Sequence, residues 1–146
     1  MKAEDFTTSI VVDQTPSEAF NAINNVGGWW QGEIKGNSHK LNDEFDYRML
    51  EFHFSKQKVI ELIPNKKVVW LVTDSRLTFA KNQQEWTGTK IIFEISEVDN
   101  KTQIRFTHSG LVPKFECYGD CSNAWTELIQ KSLFSLITTG KGKKVF

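Results

Sequence analysis

The apolar residues Trp125, Leu128, Ile129, Leu133, Leu136 and Ile137 recur at i, i+3, i+4, i+8, i+11 and i+12, which is the spacing of one face of an α-helix. About 18 residues at a rise of roughly 1.5 Å make a rod roughly 27 Å long, and Gly140 supplies its stop. A rod of that length with one dry face needs a partner surface as wide as itself. What precedes it is mostly strand, so the partner is a sheet.

The strands are read from alternation and turn chemistry. The segment from Phe6 to Asp13, FTTSIVVD, is rich in β-branched residues and reads as a first strand. TPSEAFNAINNV follows as a short helix. Thr15 is its cap, Pro16 suits its first turn, and Glu18 completes a capping box. Gly27 and Gly28 are expected to end it, with Trp29 and Trp30 directly after. Phe45, Tyr47 and Met49 alternate with polar residues, whereas Phe52 and Phe54 have the opposite parity. A turn or bulge is therefore expected near Leu50 and Glu51. KVIELIP and KVVWLVTD form a hairpin around PNKK, and TKIIFEISEV and TQIRFTHS form another around DNK. Between them SRLTFAKNQQEWTG is polar and reads as an exposed loop or edge. The order is strand, short helix, five or six strands, then the long helix. That is an α+β domain spanning 1–146, with an antiparallel sheet curved around the C-terminal helix.

Composition removes several function classes. Lys plus Arg and Asp plus Glu are 18 each, so no net field favours nucleic acid or an anionic membrane. No apolar run reaches the roughly 18 residues of a membrane span, and MKAEDFTTSI lacks the apolar core of a signal peptide. Two cysteines and no export signal point to a reducing cytoplasm. The excess lies in rings: 5 Trp and 11 Phe in 146 residues. A domain so supplied either packs them all or lines a pocket with them.

Candidate chemistry is sparse. Cys117 and Cys121 are spaced C-x3-C, with His108 or His53 as a further ligand, but a closed zinc site needs four ligands and no second pair exists. No metal and no cofactor is expected. A thiol nucleophile with His108 as base lacks any recognisable signature, so no catalytic residue is assigned. TGKGK lacks the leading glycine of a phosphate loop and follows a helix. His108 continues the inward parity of Ile104 and Phe106. It is either a hydrogen-bonded core histidine or a polar group that orients a ligand in an apolar cavity. Trp70 and Trp125 read as core. Trp29, Trp30 and Trp86 lie at an element end or in a loop, where rings line an opening or a partner surface.

Several stretches together, TPSEAFNAI, WW, VIELIPNKKVVWLV, EWTGTKIIFEI, TQIRFTHSGLVPKFECYGDCSNAW and SLFSLITTGKG, resemble the START-like (SRPBCC) superfamily. Within it they are similar to the family homologous to the C-terminal domain of the activator of heat-shock protein 90 ATPase. The resemblance covers nearly the whole chain and implies a helix-grip fold with a cavity between sheet and helix. It makes His108, Gly110, Leu111 and Pro113 the way out of the last strand, and Cys117 to Trp125 the lead-in to the gripping helix and the cavity mouth. The eukaryotic activator carries an additional N-terminal domain for which this sequence has no segment, so its ATPase stimulation does not carry over.

Three functions follow as expectations. The first is a binding module for a small hydrophobic or aromatic ligand, held among Tyr47, Trp70, Phe93, Phe106, His108 and Trp125. Trp30, Cys117, Tyr118 and Ile129 complete that cavity. The second is a co-chaperone-like domain that binds a chaperone through an apolar patch of Leu77, Phe79 and Trp86. The third is a cyclase- or hydrolase-like enzyme using His108 with Glu61 or Tyr118. No nucleic-acid or membrane partner is expected.

Overall fold

The computed structural model describes residues 5–30, 32–49, 53–77, 86–111 and 118–143. Leu50, Glu51, Phe52, Phe79, Pro113 and Cys117 lie outside them, as does the side chain of Leu77. Strand β1 (Phe6–Val12) is followed by helix α1 (Pro16–Asn24) and a short helix α2 (Val26–Trp29). Then come β2 (Glu33–Gly36), β3 (Glu44–Met49), β4 (His53–Ile63), β5 (Lys67–Leu77), β6 (Lys90–Val98) and β7 (Lys101–Ser109). The long helix runs as α3 (Tyr118–Glu127), a π-helical turn (Leu128–Leu133) and α4 (Phe134–Thr139).

The seven strands form one antiparallel sheet in the order β1-β7-β6-β5-β4-β3-β2. Both hairpins read from the sequence are present. Asp99 and Asn100 turn between β6 and β7 with φ of 52° and 65°, the paired left-handed geometry that a two-residue hairpin loop requires. Two register shifts interrupt β4 against β5, at Lys56/Gln57 and Val59/Glu61. Such irregularities bend a strand and increase its twist.

Thr15 caps α1 as its sequence implies: its Oγ accepts the Glu18 N–H at 3.1 Å, and Pro16 opens the first turn. The stop differs. Helix α1 ends at Asn24, and Gly27 and Gly28 lie inside α2. The reason is a close approach, because a Cβ at Gly28 would meet the Asn25 side chain at 2.7 Å and Leu136 at 3.0 Å. Gly28 lets α2 reach the C-terminal helix, whereas Gly27 faces open space. Facing α2, the helix widens into its π turn, and Ser132 Oγ donates to Trp29 O at 2.7 Å while accepting the Lys143 N–H at 3.2 Å. The C-terminus of α4 closes at Gly140 with φ of 85°, the left-handed cap expected there.

Candidate functional site: the ring-lined interior between sheet and helix

Period-two alternation aims one set of side chains from each strand at the helix. These are Ile104, Phe106 and His108 from β7, Ile91 and Phe93 from β6, Val68 and Trp70 from β5, and Phe45 and Tyr47 from β3; all are buried. The same parity in β4 brings His53, Ser55, Gln57 and Val59 inward. Trp125 and Ile129 of the helix close over them.

The rings form one continuous cluster. Trp30 meets Tyr47 at a centroid distance of 4.5 Å, Trp125 at 5.4 Å and Trp70 at 6.0 Å. Trp70 meets Phe45 and Phe93, each at 5.0 Å. Most contacts are edge-to-face, the geometry that the ring quadrupole favours. Trp86 stacks on Trp125 at 5.7 Å and 13°, and each of its other flanks takes an imidazole: His53 at 4.6 Å and His108 at 4.7 Å.

His108 is fully buried, and both of its nitrogens are engaged. Trp125 Nε1–H donates to His108 Nδ1 at 3.0 Å. His108 Nε2 lies 2.8 Å from Thr89 Oγ1, whose own hydroxyl proton goes to Trp86 O at 2.5 Å. The threonine oxygen must therefore accept, and the histidine must be the neutral Nε2–H tautomer. Burial lowers its pKa to about 3, and the neighbouring His53 pushes in the same direction. Burial lowers His53 to about 4 and raises Tyr47 to about 12. His53 Nε2 lies 3.1 Å from Ser55 Oγ, which accepts from Gln57 Nε2 at 2.9 Å. This polar row on the inner face of β4, together with Thr89, was not read from the sequence. Its signal was available as three polar residues in the parity of Val59.

Eight of the ten residues expected at the site belong to this interior: Trp30, Tyr47, Trp70, Phe93, Phe106, His108, Trp125 and Ile129. Tyr118 is half-buried against it, and Cys117 lies outside the described residues. Two expectations need correction. Trp29, Trp30 and Trp86 do not line an opening or a partner surface; they are 1%, 6% and 5% exposed. Trp29 is drawn in because its Nε1–H reaches Ile23 O at 3.2 Å, and Trp86 because Thr89 holds its carbonyl. The expected patch of Leu77, Phe79 and Trp86 thus loses Trp86. Glu61 does not approach His108. It points to the outer face of the sheet opposite Val69 and pairs with Lys67 at 3.5 Å. Among the described residues no three of His, Cys, Asp and Glu gather as metal ligands would. Open hollows on the outer face and rim include one beside Arg48 and Phe54, one beside Lys67 and Arg105 and one beside Pro16 and Pro64, and these are not lined by rings of the cluster.

A curved seven-stranded antiparallel sheet gripping a long C-terminal helix over a ring-lined interior is the helix-grip architecture of the SRPBCC superfamily. The family model described as Activator of Hsp90 ATPase homolog 1-like protein matches residues 14–137, and the chain belongs to that family. Among solved structures it is similar to the solution structure of the Aha1 dimer from Colwellia psychrerythraea. The identity there is 27% and the TM-score 0.76, covering 95% of this chain and 99% of that one. SSP2350 from Staphylococcus saprophyticus shares the fold at 13% identity and TM-score 0.69, over 98% of each chain. DynU16, a protein of the dynemicin biosynthetic locus, shares it at 12% identity and TM-score 0.70; the match covers 99% of this chain and 51% of DynU16. No protein with a curated function matches the chain.

Proposed function

We propose that this chain is a binding module that takes up a small hydrophobic or aromatic ligand between its sheet and its C-terminal helix. The observation that carries the reading is the ring cluster with polar atoms left unpaired inside it: Nε1 of Trp30, Trp70 and Trp86, and Oε1 of Gln57. A core built only for stability rarely leaves buried donors without partners, whereas ligand sites are apolar with a few unengaged polar groups. Because the rings now touch one another, uptake has to part them. His108 is then a positioning residue, since both its nitrogens are spent on Thr89 and Trp125. The enzyme reading through His108 and Glu61 has no geometric support.

Native mass spectrometry of gently purified protein tests the proposal. A mass that is present intact and released on denaturation supports it and gives the chemical class of the guest. A clean protein mass, with no stabilisation by any member of an aromatic library, counts against it.

A second reading, a co-chaperone-like domain of stress response, is favoured by the family and by the 27% identity to Aha1. Its test is titration against a bacterial Hsp90, and absence of binding up to high micromolar concentration removes it.

A further inference from the structure

Helix α2 is four residues long and has no side-chain cap, too short to keep its shape by its own backbone ladder. Its position is set by what packs against it. That position matters, because its C-cap is Trp30, whose ring touches Trp29, Phe45, Tyr47, Trp70 and Trp125. Where α2 sits therefore decides where the central ring of the interior sits.

The hydroxyls of the C-terminal helix show what holds it. Thr126, Thr138 and Thr139 donate to carbonyls of their own helix four residues back, at 2.8, 2.8 and 2.7 Å, a common habit of helical hydroxyls. Ser132 and Ser135 turn away from the helix. Ser132, 1% exposed, donates to Trp29 O of α2 and accepts the Lys143 N–H. Ser135 donates to Lys141 O at 2.7 Å, and Thr139 Oγ1 accepts the Lys141 N–H at 3.3 Å. Past the left-handed cap at Gly140 the chain thus folds back along the helix. Gly142 completes the contact: a Cβ there would collide with the Gly28 carbonyl oxygen and lie 3.2 Å from Ser132 Oγ.

One hydroxyl therefore joins the tail to α2. Ser132 has a single proton, and while the Lys143 N–H occupies its oxygen that proton points at Trp29 O. Hydrogen bonds in such a chain strengthen one another. Without the tail, the proton is free to turn back to its own helix as the threonines' protons do, and α2 loses its tie.

We propose that residues 141–143 are a latch that holds α2 closed over the interior, with Ser132 as its joint. Undocking of the tail frees α2 and lifts Trp30 out of the ring cluster. The latch rests on the ligand-binding reading for its purpose, and it supplies the movement by which the touching rings part.

The test is deuterium exchange followed by NMR on the full chain. Trp30 Nε1–H is buried and has no protein acceptor, so it exchanges only when an opening lets water reach it. Trp86 Nε1–H is in the same state but lies on a turn held by Thr89, and Trp125 Nε1–H is bonded to His108; both serve as references. Gly142→Ala drives the tail off Gly28, and Lys143→Pro removes the N–H given to Ser132. In each variant the Trp30 indole and the α2 amides are expected to exchange about tenfold faster, the factor for one lost hydrogen bond. The Trp86 and Trp125 indoles and the amides of β6 and β7 keep their original rates. Uniform acceleration of all these groups overturns the latch, because the tail then adds only to global stability. Unchanged Trp30 exchange in both variants overturns it as well. No guest is used, so the latch can fall while the ligand-binding reading stands. Selective exchange together with a clean native mass and no stabilising guest removes that reading and leaves the latch.

Discussion

His108 shows how one residue's role is set by its partners. Its Nδ1 accepts from Trp125 and its Nε2–H donates to Thr89, so protonation would set two donors against each other at Nδ1. This gives a pH dependence whose sign can be worked out. The folded pKa lies near 3, against an ordinary 6.5. Between those values the unfolded chain takes up a proton that the folded chain refuses. Stability is therefore complete above pH 6.5 and falls on acidification, by about 1.4 kcal/mol per pH unit for this group. Urea unfolding at steps from pH 7 to 4.5 measures the slope, and His108→Gln is expected to make it shallower. Gly110 governs the same network from behind. Its φ is 101°, and a Cβ there would lie 2.8 Å from Thr89 Cγ2. Gly110→Ala is expected to cost about 1–3 kcal/mol from backbone strain. It should also disturb the Trp125 indole signal, because Thr89 carries the displacement to His108.

At the scale of elements, the π turn in the C-terminal helix is the feature that periodicity does not announce. The apolar stripe runs through it without a break, from Trp125 to Ile137. Its cause is tertiary: Gly28 of α2 lets that helix pack close to Leu136, which brings a backbone carbonyl, Trp29 O, against the C-terminal helix, and Ser132 answers it. Single-turn π segments often mark places where a helix has been adapted to a neighbour or a site. Ser132→Ala leaves a buried carbonyl without its donor and removes the acceptor for the Lys143 N–H. The expected loss is about 1–2 kcal/mol in denaturant unfolding. Thr138→Ala, on the exposed side of α4, is expected to stay within about 0.5 kcal/mol.

For the whole molecule, the sheet and helix share one interior, so anything seated there ties them together. A guest that binds only the folded chain raises its stability by about 2.7 kcal/mol at one hundred times its Kd. The melting temperature of the protein should therefore rise with the concentration of a small aromatic guest, read by calorimetry. A partner that binds the outer surface alone leaves the interior indole signals unmoved while raising the same melting temperature, which separates the two functional readings. Among the described residues no helix is long and apolar enough to cross a membrane.

Much of this was legible in the chain. Alternation and turn residues determine the two hairpins, the spacing from Trp125 to Ile137 determines the long helix, and the capping box determines where α1 begins. These are local signals, carried by residues within a few positions of one another. The inward parity of Phe106 and His108, with the burial of Trp70 and Trp125, followed from the same periods. What the sequence left open needed contacts between residues far apart along it. Whether His108 was a core group or a ligand-orienting one depended on Thr89, nineteen positions away, and Trp125, seventeen away. Trp86 was read as exposed because its neighbours are polar, yet it is buried between imidazoles that β4 and β7 supply from either side. Patterning decides which face a residue takes, whereas only the assembled sheet and helix decide which polar atoms find partners and which are left without one.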